Sequence, residues 1–156
     1  MNRQRLFEII SVVALIVFIV FMSLDTAYSN KSAEEVAEGV VQSFDISDLV
    51  KVKKNKIKEE FGVDFTTVDS CVYYASESVM NVSEMLIIKL KEGVNADKTM
   101  NIISERLSKK QNLFEGYAPE QSALLEEAVL KKHKGFVFYC VGEDADAAFA
   151  SFKSNV

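Results

Sequence analysis

The sequence predicts an α+β domain: a mostly antiparallel sheet of about four strands with helices packed on it, preceded by one N-terminal transmembrane helix. Three observations carry this. Residues 6–24 (LFEIISVVALIVFIVFMSL) form a single apolar run unlike anything that follows. Two pairs of β-branched and aromatic runs, each pair joined by a short link, read as hairpins. The stretches between them switch to apolar spacings of three and four, the helical period.

The apolar run comes first. Fourteen of the nineteen positions from Leu6 to Leu24 are Leu, Ile, Val or Phe, and the one charge is Glu8, near the start. At ~1.5 Å per residue a helix of this length spans roughly 28 Å, close to the ~30 Å hydrocarbon core of a bilayer. Arg3 and Arg5 precede the run and Asp25 follows it. The positive-inside rule then puts the N-terminus in the cytoplasm and residues 30–156 outside. The chain divides into a cytoplasmic stub with a transmembrane signal anchor, residues 1–29, and an extracytoplasmic domain, residues 30–156. Ala27-Tyr28-Ser29 also has the small-x-small form of a signal-peptide cleavage site, and a cleaved chain would be secreted. No Cys lies near residue 25, so a lipid anchor at the signal is excluded.

In the domain, Ser32-Ala33-Glu34-Glu35 reads as a capping box, with the Ser hydroxyl and a Glu carboxylate satisfying orphan amides at a helix start. Ala33, Val36, Ala37, Val40, Val41 and Phe44 continue one apolar stripe, so a helix should end near Phe44. A second helix is expected from Asn55 to Phe61, with Ile57 and Phe61 inward and Gly62 as its left-handed stop. Lys51 to Lys58 (KVKKNKIK) is basic, but Glu59 and Glu60 follow at once, which reads as a solvated helix face.

Strands are expected from Thr67 to Ala75 and from Glu84 to Lys91. The link between them is too short for a parallel crossover, so they pair as an antiparallel hairpin. Asn95 caps a long helix whose stripe is Met100, Ile103, Leu107 and Phe114, and Gly116 ends it. Pro119 opens another helix at its first turn, where a missing amide costs nothing. A strand over Val129 to Lys132 turns at His133-Lys134-Gly135 into Phe136 to Val141 (FVFYCV), the strongest strand of the chain. Val137, Tyr139 and Val141 are as apolar as Phe136 and Phe138, which implies a sheet covered on both sides. Asp144 caps a final helix holding Ala147, Ala148, Phe149 and Phe152. The strand order does not follow from the sequence.

The run VYYASESVMNVSEMLIIKLKE, the long helix leading to FEGYAPEQ, and GFVFYCV together resemble the uncharacterised bacterial domain-of-unknown-function family numbered 4358. The resemblance covers about residues 35–153. It implies an exported lipoprotein or membrane-anchored protein at the cell envelope, mainly of Gram-positive bacteria. This chain departs from the lipoprotein members in lacking a lipid-modified Cys. The resemblance supplies no activity, so no catalytic residue carries over.

Composition excludes several functions. The chain is net −5, and all its charges but Arg3, Arg5, Glu8 and Asp25 lie in the domain. Nucleic-acid binding needs clustered cations, which an acidic domain lacks. His133 is the only His and sits in a turn between two Lys, and with two Cys the chain cannot furnish an ordinary zinc site. No Gly-rich phosphate loop or nucleophile elbow is present, so no cofactor and no metal is expected. Glu143, Asp144 and Asp146 are better explained by a helix dipole than by a hard cation. Cys71 and Cys140 lie in predicted strands and are either buried free thiols or, in an exported domain, a disulfide.

Three functions fit these limits. One is a non-enzymatic, membrane-tethered module that binds an envelope protein or glycan. Another is a small envelope hydrolase using carboxylates such as Glu77, Glu84, Glu115 or Glu120, which requires two of them ~5–9 Å apart in a cleft. The third is a structural subunit of a membrane complex. The candidate binding segment is Phe114, Glu115, Tyr117 and Glu120, on a loop that joins two helices and holds the only Pro. Tyr117 there is either a contact residue or a plug between the helices.

Overall fold

The computed structural model describes residues 9–18 and 28–156. Residues 9–18 are helical and exposed. Among the described residues no helix is long and apolar enough to cross a membrane. Much of the expected span, residues 6–8 and 19–24, lies outside the described residues.

The domain opens with α1 (Ala33–Val40) and the expected capping box, in which Ser32 Oγ accepts from the Glu35 amide and the Glu35 carboxylate accepts from the Ser32 amide. The α-helix stops at Val40 and a turn carries the chain to Phe44, so Phe44 is buried but no longer helical. A short strand, β1 (Leu49–Lys51), follows, then α2 (Lys54–Phe61), closed by Gly62 in the left-handed region at φ 67°. Next come β2 (Val68–Ser76), β3 (Glu84–Leu90), α3 (Asp97–Phe114) and α4 (Pro119–Glu126). The chain ends with β4 (Val129–His133), β5 (Phe136–Val141) and α5 (Ala145–Asn155).

The strands form one antiparallel sheet in the order β1-β2-β3-β5-β4. It has five strands rather than about four. β1 adds three residues at an edge, too few to show a period of two, and its sequence merges into the basic run that follows.

Helices cover both faces. Every residue of β3 and β5 is buried, so these two central strands are apolar on both sides. Met85 and Ile87 of β3 with Phe136, Phe138 and Cys140 of β5 meet α1 and α5 on one face. Leu86 and Ile88 with Val137, Tyr139 and Val141 meet α2, α3 and α4 on the other. Phe138 packs on Phe152 and Phe149 at centroid distances of 4.8 and 5.6 Å. The face toward α3 carries a charge cluster within its apolar packing.

Candidate functional site

Glu84 begins β3, and the two-residue period puts its side chain on the α3 side with Leu86 and Ile88. It is 2% exposed. An isolated carboxylate in that position would cost far more than a domain can bear. It is held because five hydrogen bonds reach it. Tyr73 on β2 and Tyr139 on β5 both sit opposite Leu86, two residues along from Glu84, and so flank it from the neighbouring strands. Their hydroxyls donate to Glu84 at 2.6 and 2.7 Å. From α3, Arg106 donates through Nη1 at 2.7 Å and Nη2 at 3.0 Å, one to each carboxylate oxygen. Lys110, one helical turn on, donates at 3.0 Å.

The cluster continues outward. The Arg106 guanidinium lies 4.1 Å from the Phe61 ring centroid, and Phe61 meets Tyr73 edge-on at 5.1 Å. Glu60 on α2 accepts from Arg106 at 3.4 Å, and its carboxylate lies 3.1 Å from the Tyr73 hydroxyl oxygen. Two carboxylates therefore face two cations. Among the described residues no buried side-chain nitrogen or oxygen lacks a hydrogen-bond partner.

The electrostatics follow from this arrangement. Burial opposes ionisation of Glu84, but the Arg106 guanidinium, with Lys110 and Tyr73, outweighs it and holds the carboxyl at about 2. Burial, reinforced by the Glu84 charge, pushes the Tyr73 and Tyr139 hydroxyls well above their ordinary range, so both stay protonated and donate. Burial pulls the Lys110 ammonium down. Glu84 is thus a permanent acceptor with its lone pairs engaged. The arrangement clamps α3 and α2 onto the sheet, and offers neither a proton to give nor a free oxygen to attack.

That removes Glu84 from the carboxylates considered for hydrolysis. Glu77, Glu115 and Glu120 are exposed, and none of the four lines the acidic cleft at that end of the sheet. This cleft, of about 350 Å³, is bordered by Asp45, Asp48, Asn81, Gln121, Glu143 and Asp144 among others. The Asp45 carboxylate accepts from the Ser47 amide at 2.9 Å. Among the described residues no three His, Cys, Asp or Glu are placed to hold a metal ion. Asp144 stands at the N-cap position of α5 without the side-chain hydrogen bond expected of a cap.

The 114–120 segment divides sharply. Phe114 is 7% exposed and fills the core under α3. Tyr117 is 71% exposed and Leu113 is 73% exposed. Tyr117 is therefore not a plug between the helices; Phe114 takes that place, and Gly116 at φ 71° turns the following residues outward. Glu115 and Glu120 are also exposed. Gln121 secures the loop by accepting from the Val82 amide at 2.8 Å.

The cysteines do not pair. Cys140 is fully buried in the face toward α1 and α5, whereas Cys71 is half-buried against the opposite face, and β3 lies between their strands. Burial pushes both thiols up, so they are poor nucleophiles.

Sequence reasoning missed the Glu84 cluster. Its signals were present: a Glu opening an otherwise apolar strand, and Arg106 and Lys110 on the inward face of a helix beside Ile103 and Phe114.

Fold and site define a three-layer domain, with helices on both faces of an antiparallel sheet and a saturated ion cluster in one core. The family model described as "Domain of unknown function (DUF4358)" matches residues 42–142, and the chain belongs to that family. The matched region holds all five strands, α2 to α4, Glu84 and its partners, and the Tyr117 loop. No curated protein and no solved structure matches the chain.

Proposed function

We propose that this chain is a membrane-tethered, extracytoplasmic binding module of the bacterial cell envelope, engaging an envelope protein or glycan through the loop between α3 and α4. The observation that carries the reading is the pair Leu113 and Tyr117, both exposed and held by a buried Phe114 between them. Tyr presents area and a hydroxyl at low entropy cost, and such residues on a rigidly mounted loop suit recognition. The apolar run Leu6–Leu24 with Arg3 and Arg5 before it supports the tether and a cytoplasmic N-terminus. Catalysis is disfavoured because the most strongly perturbed carboxylate, Glu84, is fully engaged within the fold.

The test is recovery from envelope extract by the full chain in detergent, beside a Leu113→Asp, Tyr117→Ala variant. The wild-type chain should retain a protein or glycan that the folded variant loses. Equal recovery by both, or none by the folded wild-type chain, would overturn the assignment.

A further inference from the structure

The residues that follow the apolar run are built into the domain. Tyr28 donates its hydroxyl to the Leu90 carbonyl at the end of β3. Its ring lies over Gly135 so closely that a Cβ there would come within 2.6 Å of it. The Lys89 ammonium stands over the same ring, 5.2 Å from its centroid. The Ser29 amide donates to the Lys134 carbonyl at 3.2 Å. Lys134 and Gly135 form the β4–β5 turn, both at positive φ. Two successive residues are therefore fixed to one pole of the sheet, the pole at which β3 ends and β5 begins.

Only three residues separate Leu24 from Tyr28. Four Cα steps reach at most ~14 Å. A domain tied this closely cannot swing freely.

We infer that Tyr28 and Ser29 latch the domain in one orientation, with the β4–β5 turn and the 91–93 loop resting against the headgroup layer of a lipid bilayer. This rests on the tether proposed above. Lys134, in the turn itself, brings an ammonium group toward the lipid phosphates, while at the same pole Lys91 donates to the Thr66 carbonyl at 2.8 Å and Lys132 pairs with Asp97 at 2.8 Å. The opposite pole then points away from the membrane. β2, nine residues long, separates the two by ~30 Å. The distal pole carries the 77–83 loop and the Tyr117 loop, joined by the Gln121–Val82 hydrogen bond. The latch thus acts as a spacer that holds the recognition loop clear of the bilayer. It also makes residues 28 and 29 part of the folded domain, and cleavage after Ser29 would remove both contacts.

The experiment uses the full chain in vesicles of phosphatidylcholine and phosphatidylglycerol, with Cys71→Ser to leave one reactive position. A fluorophore is placed through Glu92→Cys at the proximal pole or Glu77→Cys at the distal pole, and quenched by a spin-labelled headgroup. Position 92 should be quenched several-fold more than position 77. Tyr28→Ala should bring the two toward equality, while Tyr28→Phe, which keeps the ring over Gly135, should retain most of the difference. Equal quenching at both positions of the vesicle-bound wild-type chain would overturn the latch and leave the tether standing. A chain that does not float with the vesicles would overturn the tether, and the latch with it.

Discussion

Arg106 and Glu84 meet as a two-point pair across the core between α3 and the sheet, Nη1 to one carboxylate oxygen at 2.7 Å and Nη2 to the other at 3.0 Å. Removing one partner of a buried pair costs about 3–5 kcal/mol, here toward the lower end because Glu84 keeps Lys110 and Arg106 keeps Glu60. Glu84→Gln and Arg106→Met should each lower unfolding stability in urea by about that amount. The double variant should lose clearly less than the sum, because neither charge is then left alone. Additive losses would show that the pair is not coupled.

The same pair sets an acid response. Glu84 sits at about 2 in the fold against an ordinary 4.5, so between these values the unfolded chain binds the extra proton. Stability therefore rises with pH through that window. The Glu84 contribution is fully present above about pH 4.5 and is lost as pH falls toward 2. Denaturation curves taken across that range should be steeper in pH for the wild-type chain than for Glu84→Gln. Identical slopes would mean that another carboxylate carries the acid response.

Phe138 is fully buried, its ring tilted against Phe149 and Phe152 on the face toward α5. Phe138→Ala should cost about 3–5 kcal/mol. Val137, its neighbour on the opposite face, is equally buried, so Val137→Asp, which buries a carboxylate without a partner, should prevent stable folding. A variant tolerated on either face would show that face to be less tightly covered than its burial implies. Thermal unfolding distinguishes the two.

Much of this architecture was legible because local signals agreed. The Ser32–Glu35 box, Gly62 and Pro119 each act through the backbone of a few residues, and each fell where sequence put it; the turn expected at His133-Lys134-Gly135 is one residue shorter, since His133 still pairs with Phe136 as the last residue of β4. The doubled apolar pattern of β5 announced a sheet covered on both sides. What was hidden depends on distant partners. The tyrosines that hold Glu84 lie 11 and 55 residues away, and Arg106 22 residues away. No local rule separates a buried Glu from an exposed one without the strand order. The choice between contact residue and plug at Tyr117 was likewise not local: Phe114, three residues before it and the more apolar, is the one that is buried.

Cys71 and Cys140 should both be recovered as free thiols by mass measurement after alkylation without reductant, even from oxidising medium. In the native state Cys140 should react far more slowly with a maleimide than Cys71, since it is fully buried and Cys71 only half so. Equal rates would indicate that β5 opens readily. A mass two units short would place the cysteines in a bridge that their opposite faces do not allow.

Phe114 and Tyr117 provide the sharpest contrast in the recognition loop. Both are aromatic, three positions apart, yet one is 7% and the other 71% exposed. Phe114→Ala should leave a cavity under α3 and cost about 3–5 kcal/mol. Tyr117→Ala removes a side chain that fills no core, so its effect on stability should stay within ~0.5 kcal/mol. If the loop recognises a partner, that substitution nevertheless lowers recovery while the melting temperature holds. A large stability loss at Tyr117 would return the residue to the packing between α3 and α4, and would remove the loop as a contact surface.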